Sequence, residues 1–83
     1  MLTLYTKTGC PYCARVLGVL AELNLPFEEK NIAEPDVAEE LVARGGKRQV
    51  PYLVDPERGT EMYESEDIAD YLEATYAAET KSA

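Results

Sequence analysis

The stretch Lys-Thr-Gly-Cys-Pro-Tyr-Cys at residues 7–13 contains both cysteines of this 83-residue chain. It follows an apolar opening at residues 2–6 that is typical of a β-strand. After it, apolar residues recur at helical spacing, at positions 16, 17, 19, 20 and 23. We therefore expect a strand, a short loop and a helix, with Cys10 at the helix N-cap. Pro11 then takes the first helical position, where a missing N–H costs nothing.

Cys10 and Cys13 are three residues apart, so on a helix they are neighbours that can form a disulfide after a small adjustment. A cysteine at a helix N-terminus faces unpaired N–H groups and the positive end of the helix dipole, which favour its thiolate. Lys7 adds a positive charge nearby. Because thiolates attack disulfides, we expect Cys10 to be the nucleophile and Cys13 the resolving thiol.

Other roles are open to this cysteine pair. Free cysteines are often core residues, and a disulfide that closes so short a ring can be structural, although it restrains little of the unfolded chain. A structural zinc site usually takes four ligands, so two cysteines without any histidine cannot build the usual site alone. An iron–sulfur cluster bridged between two chains is a further alternative. The Pro, Gly and Lys residues around the pair favour a redox pair without a bound metal.

The net charge is −8, from 16 acidic and 8 basic residues. This acidic balance argues against nucleic acid and anionic membranes as partners. No run approaches the roughly 18 apolar residues of a membrane span, and the N-terminus lacks a signal-peptide pattern. We therefore expect a reducing, cytoplasmic location. Basic residues occur in two places, Lys7 with Arg15 and Lys47 with Arg48. If these places meet in space, they form a local site for a small anion.

We expect one domain over residues 1–83, with a frayed tail from about 78 to 83, and a monomer. The expected elements are a strand at 2–6, a helix at 10–23, a strand at 27–32, a helix from Pro35 to Gly45-Gly46, strands at 50–54 and 60–63 joined by a turn, and a last helix with Ser65 as N-cap. The buried face of this last helix should contain Ile68, Tyr71, Leu72 and Tyr76. This order, β-α-β-α-β-β-α, predicts an α/β domain with one mixed four-stranded sheet flanked by helices.

The chain resembles the glutaredoxins, which are small thiol–disulfide oxidoreductases with the thioredoxin fold. Lys7-x-x-Cys10-Pro11-Tyr12-Cys13 looks like the dithiol active site of that family. Residues 46–51, Gly-Lys-Arg-Gln-Val-Pro, are similar to the family's segment that ends in Thr-Val-Pro, where the proline is cis. The resemblance covers nearly the whole chain in the same element order. It implies the thioredoxin fold and disulfide exchange with glutathione as co-substrate, without a bound cofactor.

The resemblance also implies a binding site for glutathione, which is a γ-Glu-Cys-Gly peptide. The backbone of Val50, the residue before the cis proline, would pair with the cysteinyl part. Lys7 and Arg48 would hold the glycine carboxylate, with help from Gln49. The remaining contacts would come from the ring of Tyr12, which flanks the site, and from Pro51, which shapes the groove.

One segment departs from the glutaredoxin pattern. That family commonly has a Gly-Gly pair, a small residue and Asp before the last helix, whereas residues 62–67 here are Met-Tyr-Glu-Ser-Glu-Asp. This segment looks like the Glu-Ser segment in the N-terminal domain of glutathione transferases. The N–H and hydroxyl of Ser65 would then bind the γ-Glu carboxylate, and Glu64 or Glu66 would pair with its ammonium. Taken alone, the segment is better explained as a helix N-cap with acidic residues behind it, and the binding interpretation depends on the other two segments.

The function implied by this resemblance is glutathione-dependent reduction of protein disulfides and of glutathionylated proteins through Cys10 and Cys13. A first alternative is a glutaredoxin-like electron donor that thioredoxin reductase reduces. A second is a binding module, either an iron–sulfur carrier or a stand-alone glutathione-transferase-like domain.

Overall fold

The computed structural model describes residues 1–77, and the predicted frayed tail at 78–83 lies outside them. The strands and helices follow the order expected from the sequence. They are β1 (Leu2–Thr6), α1 (Pro11–Glu22), β2 (Phe27–Asn31), α2 (Pro35–Gly45), β3 (Tyr52–Asp55), β4 (Thr60–Met62) and α3 (Ser65–Leu72), which continues into a π-helical segment at Glu73–Ala77.

The four strands form one sheet in the order β2-β1-β3-β4. Strand β1 pairs in parallel with β2 and antiparallel with β3, and β3 and β4 form an antiparallel hairpin. The predicted α/β order and the mixed four-stranded sheet are therefore confirmed. Because β1 is a central strand, the loop that follows it opens at one end of the sheet, where α1 begins.

Side chains alternate across the sheet and separate the core into two layers. Leu4 and Leu53 are fully buried on the face that α1 and α3 cover, together with Val16, Leu20, Ile68 and Leu72. On the other face, which α2 covers, the buried residues are Tyr5, Ile32, Val37, Leu41, Tyr52 and Val54. Helices α1 and α3 thus share a layer, and their N-termini lie towards the same end of the sheet as the cysteines.

Local sequence signals placed most element ends correctly. Helix α1 has Cys10 as N-cap and Pro11 in its first turn. Helix α2 begins with Pro35 and ends at Gly46, which has φ of +89°, a conformation that glycine adopts without steric cost. Gly46 donates its N–H to the carbonyl of Val42 at 2.8 Å, which closes the last turn.

Some details of the prediction differ from the structure. Strand β3 begins at Tyr52 rather than at Val50, because the Val50–Pro51 peptide is cis and proline has no N–H for the ladder. The N-cap of α3 is Glu64, and Ser65 is already the first helical residue. Tyr71 is half-buried rather than buried, although its hydroxyl donates a hydrogen bond to the buried carboxylate of Asp55.

Candidate active site

The loop between β1 and α1 places Cys10 at the helix N-terminus. Gly9 has φ of +82°, which a residue with a side chain rarely adopts, and this turns the chain so that the N–H of Cys10 donates to the carbonyl of Lys7 at 3.1 Å. The N–H of Cys13 donates to Cys10 Sγ at 3.3 Å. Both cysteines are free thiols, and Cys10 is half-buried whereas Cys13 is buried. The sulfur of Cys10 therefore caps α1 and is reached from solvent more easily than that of Cys13.

The two thiols have opposite electrostatic environments. Burial acts to raise the pKa of Cys10, but hydrogen bonds from the Cys13 thiol and from the N–H groups of Cys13 and Tyr12, together with the charge of Lys7, lower it below its usual value. Burial raises the pKa of Cys13 to about 12, and its hydrogen bond to Cys10 and the charges of Cys10 and Glu29 act in the same direction. These environments favour the thiolate form of Cys10 and the protonated form of Cys13.

A groove of about 560 Å³ runs between the start of α1, the cis proline and the start of α3. We call it the Pro51 groove, and its lining consists of Tyr12, Gln49, Val50, Pro51, Glu64, Ser65, Glu66 and Asp67. Seven of these eight residues are among those predicted for glutathione. Asp67 was missed, because an acidic residue in the first turn of a helix is already explained by the helix dipole.

Two of the residues predicted to bind glutathione, Lys7 and Arg48, do not line this groove. Lys7 lines a separate cavity of about 450 Å³, the Cys10 cavity, which also contains Cys10, Cys13, Glu29 and Asn31. Arg48 lines a third cavity against α2, beside Val42. The two groups of basic residues are therefore not gathered at one place in this structure.

Glu64 holds an unusual backbone conformation at the edge of the groove. Its φ of +71° is uncommon for a residue with a side chain and costs on the order of 1–3 kcal/mol. Its side chain makes no capping bond, and instead accepts a hydrogen bond of 3.3 Å from Gln49 Nε2. This conformation places Ser65 at the first helical position, where the helix leaves its N–H without an intrahelical acceptor. The groove thus combines a carboxylate with an N–H available for an anion.

The other acidic candidate, Glu66, already has a cationic partner. Arg15 Nε lies 3.1 Å from Glu66 Oε2, and Arg15 Nη2 lies 3.4 Å from Oε1. This two-pronged pair joins α1 to the start of α3. The side chain of Glu64 has only the neutral amide of Gln49 as a hydrogen-bond partner in the part of the chain that the structure describes.

Within residues 1–77, no cluster of three or more His, Cys, Asp and Glu side chains could hold a metal ion. Nor does this part of the chain contain a helix with the length and apolar character needed to cross a membrane.

A mixed four-stranded sheet, a Cys-x-x-Cys pair at the start of the first helix and a cis proline define a thioredoxin-fold protein. The family model for the N-terminal domain of glutathione S-transferases matches residues 4–80, and the chain belongs to that family.

The chain is similar to individual proteins of both kinds that its sequence resembles, the glutaredoxins and the glutathione transferases. Glutaredoxin 3 of Escherichia coli (strain K12) is 35% identical over 51 residues, which are 60% of this chain and 61% of that protein. A glutathione S-transferase from the Antarctic clam Laternula elliptica superposes with a TM-score of 0.78 at 30% identity, over 92% of this chain and 35% of that one.

A third comparison is with a glutathione transferase homologue from Sulfitobacter, solved with bound glutathione. It has a TM-score of 0.77 at 27% identity, over 94% of this chain and 38% of that one. The chain thus spans less than two thirds of the glutaredoxin and little more than a third of either transferase. The predicted resemblance to glutaredoxins, with a transferase-like segment before the last helix, is confirmed.

Proposed function

We propose that this chain is a glutathione-dependent thiol–disulfide oxidoreductase that reduces protein disulfides and glutathione mixed disulfides. The observation that carries the proposal is the hydrogen bond from the N–H of Cys13 to Cys10 Sγ at the start of α1, next to the Pro51 groove. This small region of the protein therefore combines a sulfur that can act as a nucleophile, a second thiol close to it and an adjacent polar groove. The proposed setting is a reducing compartment such as the cytoplasm, with the chain as a monomer.

The proposed reaction moves two electrons from glutathione to a disulfide. The Cys10 thiolate attacks one sulfur of the substrate and releases the other as a thiolate, which leaves a mixed disulfide on Cys10. Cys13 then attacks Cys10, which frees the substrate and forms the Cys10–Cys13 disulfide. Two glutathione molecules reduce this disulfide in turn and leave as glutathione disulfide.

The Pro51 groove offers complementary groups for the tripeptide. The backbone of Val50 lies outside the β3 ladder and is proposed to pair with the cysteinyl residue, because an extended peptide binds backbone groups in this way. The N–H of Ser65 at the start of α3 is proposed to bind the γ-Glu carboxylate. Glu64 is proposed to take the ammonium, since Glu66 is paired with Arg15.

The remaining predicted contacts are proposals for the rim of the groove. Tyr12 is largely exposed, and its ring is free to cover the bound peptide. Arg48 directly precedes Gln49 of the groove, so rotation of its long side chain would bring the guanidinium to the glycine carboxylate. Lys7, on the opposite side of Cys10, is the second proposed cation for that carboxylate.

The test uses the disulfide form of the protein and glutathione. The Cys13→Ser variant cannot form this disulfide, so it is mixed with glutathione disulfide, one sulfur of which the Cys10 thiolate attacks while one glutathione leaves as a thiolate. We expect a stable adduct of one glutathione on Cys10, visible by mass spectrometry, because the resolving thiol is missing. The wild type should pass through the same adduct and finish as the dithiol. Absence of any adduct on Cys10 would contradict the proposal. Reduction of the wild type by thioredoxin reductase, but not by glutathione, would favour the electron-donor alternative.

Conjugation of glutathione to an electrophile is a second candidate function. The family match and the backbone of Glu64 and Ser65 favour it, because a transferase needs the groove but no protein thiol. The two functions separate in the Cys10→Ser variant. If conjugation of an aryl halide survives in this variant, the chain is a transferase. If reduction of a glutathione mixed disulfide disappears with Cys10 and no conjugation is present, the oxidoreductase is supported.

A further inference from the structure

The Cys10 cavity contains a carboxylate to which the proposed function gives no role. This cavity, of about 450 Å³, is lined by both cysteines and by Thr6, Lys7, Glu29 and Asn31, among others. Glu29 is the acidic residue among the described residues of that lining. It lies on β2, the strand at the sheet edge next to β1, so it lines this cavity on the side of the cysteines opposite the Pro51 groove.

Strand register places Glu29 on the face of the sheet that α1 covers. Glu29 is the partner of Leu4 in the β1–β2 pairing, and Leu4 is fully buried in the core layer under α1. Thr6 lies two residues further along β1 and therefore on the same face. Thr6 Oγ1 donates a hydrogen bond of 2.8 Å to Glu29 Oε2. The carboxylate is thus anchored by β1 beside the first turn of α1, which contains Cys13.

The resolving step needs an acceptor for the Cys13 proton. Burial raises the pKa of Cys13 and keeps doing so in the mixed disulfide, which disfavours the Cys13 thiolate at neutral pH. Its side chain is also only 2% exposed, and the Cys10 cavity is the opening that it lines. A base within that cavity can take the proton as the new disulfide forms, which avoids a free Cys13 thiolate.

We propose that Glu29 is the proton acceptor for Cys13 when Cys13 resolves the mixed disulfide on Cys10. The Cys13 S–H bond breaks and its proton passes to the carboxylate of Glu29, directly or through water in the cavity. Cys13 Sγ bonds to Cys10 Sγ, and the bond from Cys10 to the substrate sulfur breaks. The substrate leaves as a thiolate, and Glu29 gives up the proton to solvent. This inference rests on the proposed function.

A carboxylate that acts only through its charge would have the opposite effect. Cys10 is uncharged in the mixed disulfide, so the charged groups that face Cys13 are Lys7 and Glu29, and the negative charge of Glu29 disfavours a Cys13 thiolate. Removing a purely electrostatic Glu29 would therefore make resolution faster. Removing a proton acceptor makes it slower. The sign of the change separates the two roles.

The experiment follows the reduced full chain with dithiobis(nitrobenzoate), an aromatic disulfide that releases a coloured thiolate. The first release reports attack by Cys10, and its rate rises with reagent concentration. The second release reports resolution by Cys13, and its rate is independent of concentration. The Cys13→Ser variant should lose the second release alone, which verifies the assignment. The decisive variant is Glu29→Gln, with Glu28→Gln as control, because Glu28 pairs with Thr3 on the opposite face of the sheet.

We expect Glu29→Gln to leave the first release unchanged and to slow the second roughly ten- to a hundredfold at neutral pH. Its second rate should then rise tenfold per pH unit, because it depends on the thiolate fraction, whereas the wild-type rate rises less steeply. Glu29→Asp should recover part of the rate, and Glu28→Gln should match the wild type. An unchanged or faster second release in Glu29→Gln would overturn the proposal.

The first release distinguishes a failure of the proposed oxidoreductase function from a failure of the proposed role of Glu29. If Cys10 fails to react with the reagent, or if glutathione fails to reduce the resulting disulfide, the oxidoreductase function itself is wrong. If both occur and only the dependence on Glu29 is missing, the function stands and the proton acceptor is not Glu29. A first release at the wild-type rate in Glu29→Gln also shows that the variant keeps the native environment of Cys10.

Discussion

The N–H of Cys13 donates a hydrogen bond of 3.3 Å to Cys10 Sγ, so the proposed nucleophile receives a stabilising donor from its own helix. The same short segment contains the second thiol, whose burial raises its pKa to about 12. One turn of helix thus stabilises the thiolate of one sulfur and the thiol of the other. This difference between the two thiols would fix the order of their attacks, with Cys10 attacking the substrate before Cys13 attacks Cys10.

Lys7→Met should slow the alkylation of Cys10. The positive charge of Lys7 contributes to the lowered pKa of Cys10, so its loss reduces the thiolate fraction. We expect a two- to fivefold lower rate with iodoacetamide at neutral pH, the range of about 0.3–1 kcal/mol for a charge near a helix end. The rates should converge at high pH, where Cys10 is ionised in both proteins. Lys47→Met, which removes a charge outside the Cys10 cavity, is the control and should not change the rate.

Cys13→Ser should separate two activities of the proposed enzyme. Reduction of a glutathione mixed disulfide needs only Cys10, so it should persist in the variant at a rate within a few fold of the wild type. Reduction of a protein disulfide needs the resolving thiol and should nearly disappear. Coupled assays with glutathione reductase measure both activities on the same preparation. If both activities survive unchanged, Cys13 does not resolve the intermediate.

Glu64→Gln should weaken the use of glutathione more than Glu66→Gln. If Glu64 takes the ammonium, its neutral replacement loses a charge-assisted hydrogen bond, and the KM for glutathione should rise about tenfold or more. Glu66 is exposed and already paired with Arg15, so its replacement should change KM by less than about threefold. Steady-state kinetics at varied glutathione concentration give both values. The reverse ranking would assign the ammonium to Glu66.

Local features of the sequence, such as prolines and glycines at particular positions, were sufficient to predict the fold and the position of the cysteine pair at a helix start. Pro11 and Pro35 stand at helix starts, and Gly46 takes the left-handed conformation at a helix end, because these residues have strong backbone preferences of their own. The order of such signals was sufficient to predict the sheet and its helices.

Features that depend on distant residues were not predictable in this way. Arg15 and Glu66 pair although they are 51 residues apart, and no local pattern indicates that pairing. Arg48 lines a cavity against α2 and not the Pro51 groove, and no local pattern indicates this placement either. The positive φ of Glu64 contradicts the preference of its side chain, and Ser65 therefore looked like the N-cap. At this position, tertiary contacts override the local preference.

Asp55→Asn should destabilise the fold by about 2 kcal/mol. Asp55 is 1% exposed at the end of β3, and its Oδ2 accepts hydrogen bonds of 2.6 Å from the hydroxyls of Tyr71 and Tyr76. Hydrogen bonds to a charged group contribute about 1.5–3 kcal/mol, and a neutral amide oxygen accepts them less strongly. Urea unfolding followed by circular dichroism measures the loss. Asp70→Asn, an exposed change on α3, is the control and should stay within about 0.5 kcal/mol of the wild type.

The pH dependence of stability gives a second measure of Asp55. Burial acts to raise its pKa, but the hydroxyls of Tyr71 and Tyr76 and the charge of Arg58 lower it below the usual value. The unfolded chain therefore binds a proton at Asp55 more readily than the folded one, so stability should fall as the pH drops below about 4. In Asp55→Asn this decline should be shallower, because the group no longer titrates. Equal slopes in the two proteins between about pH 4 and pH 2 would show that the carboxylate of Asp55 is not stabilised in the fold.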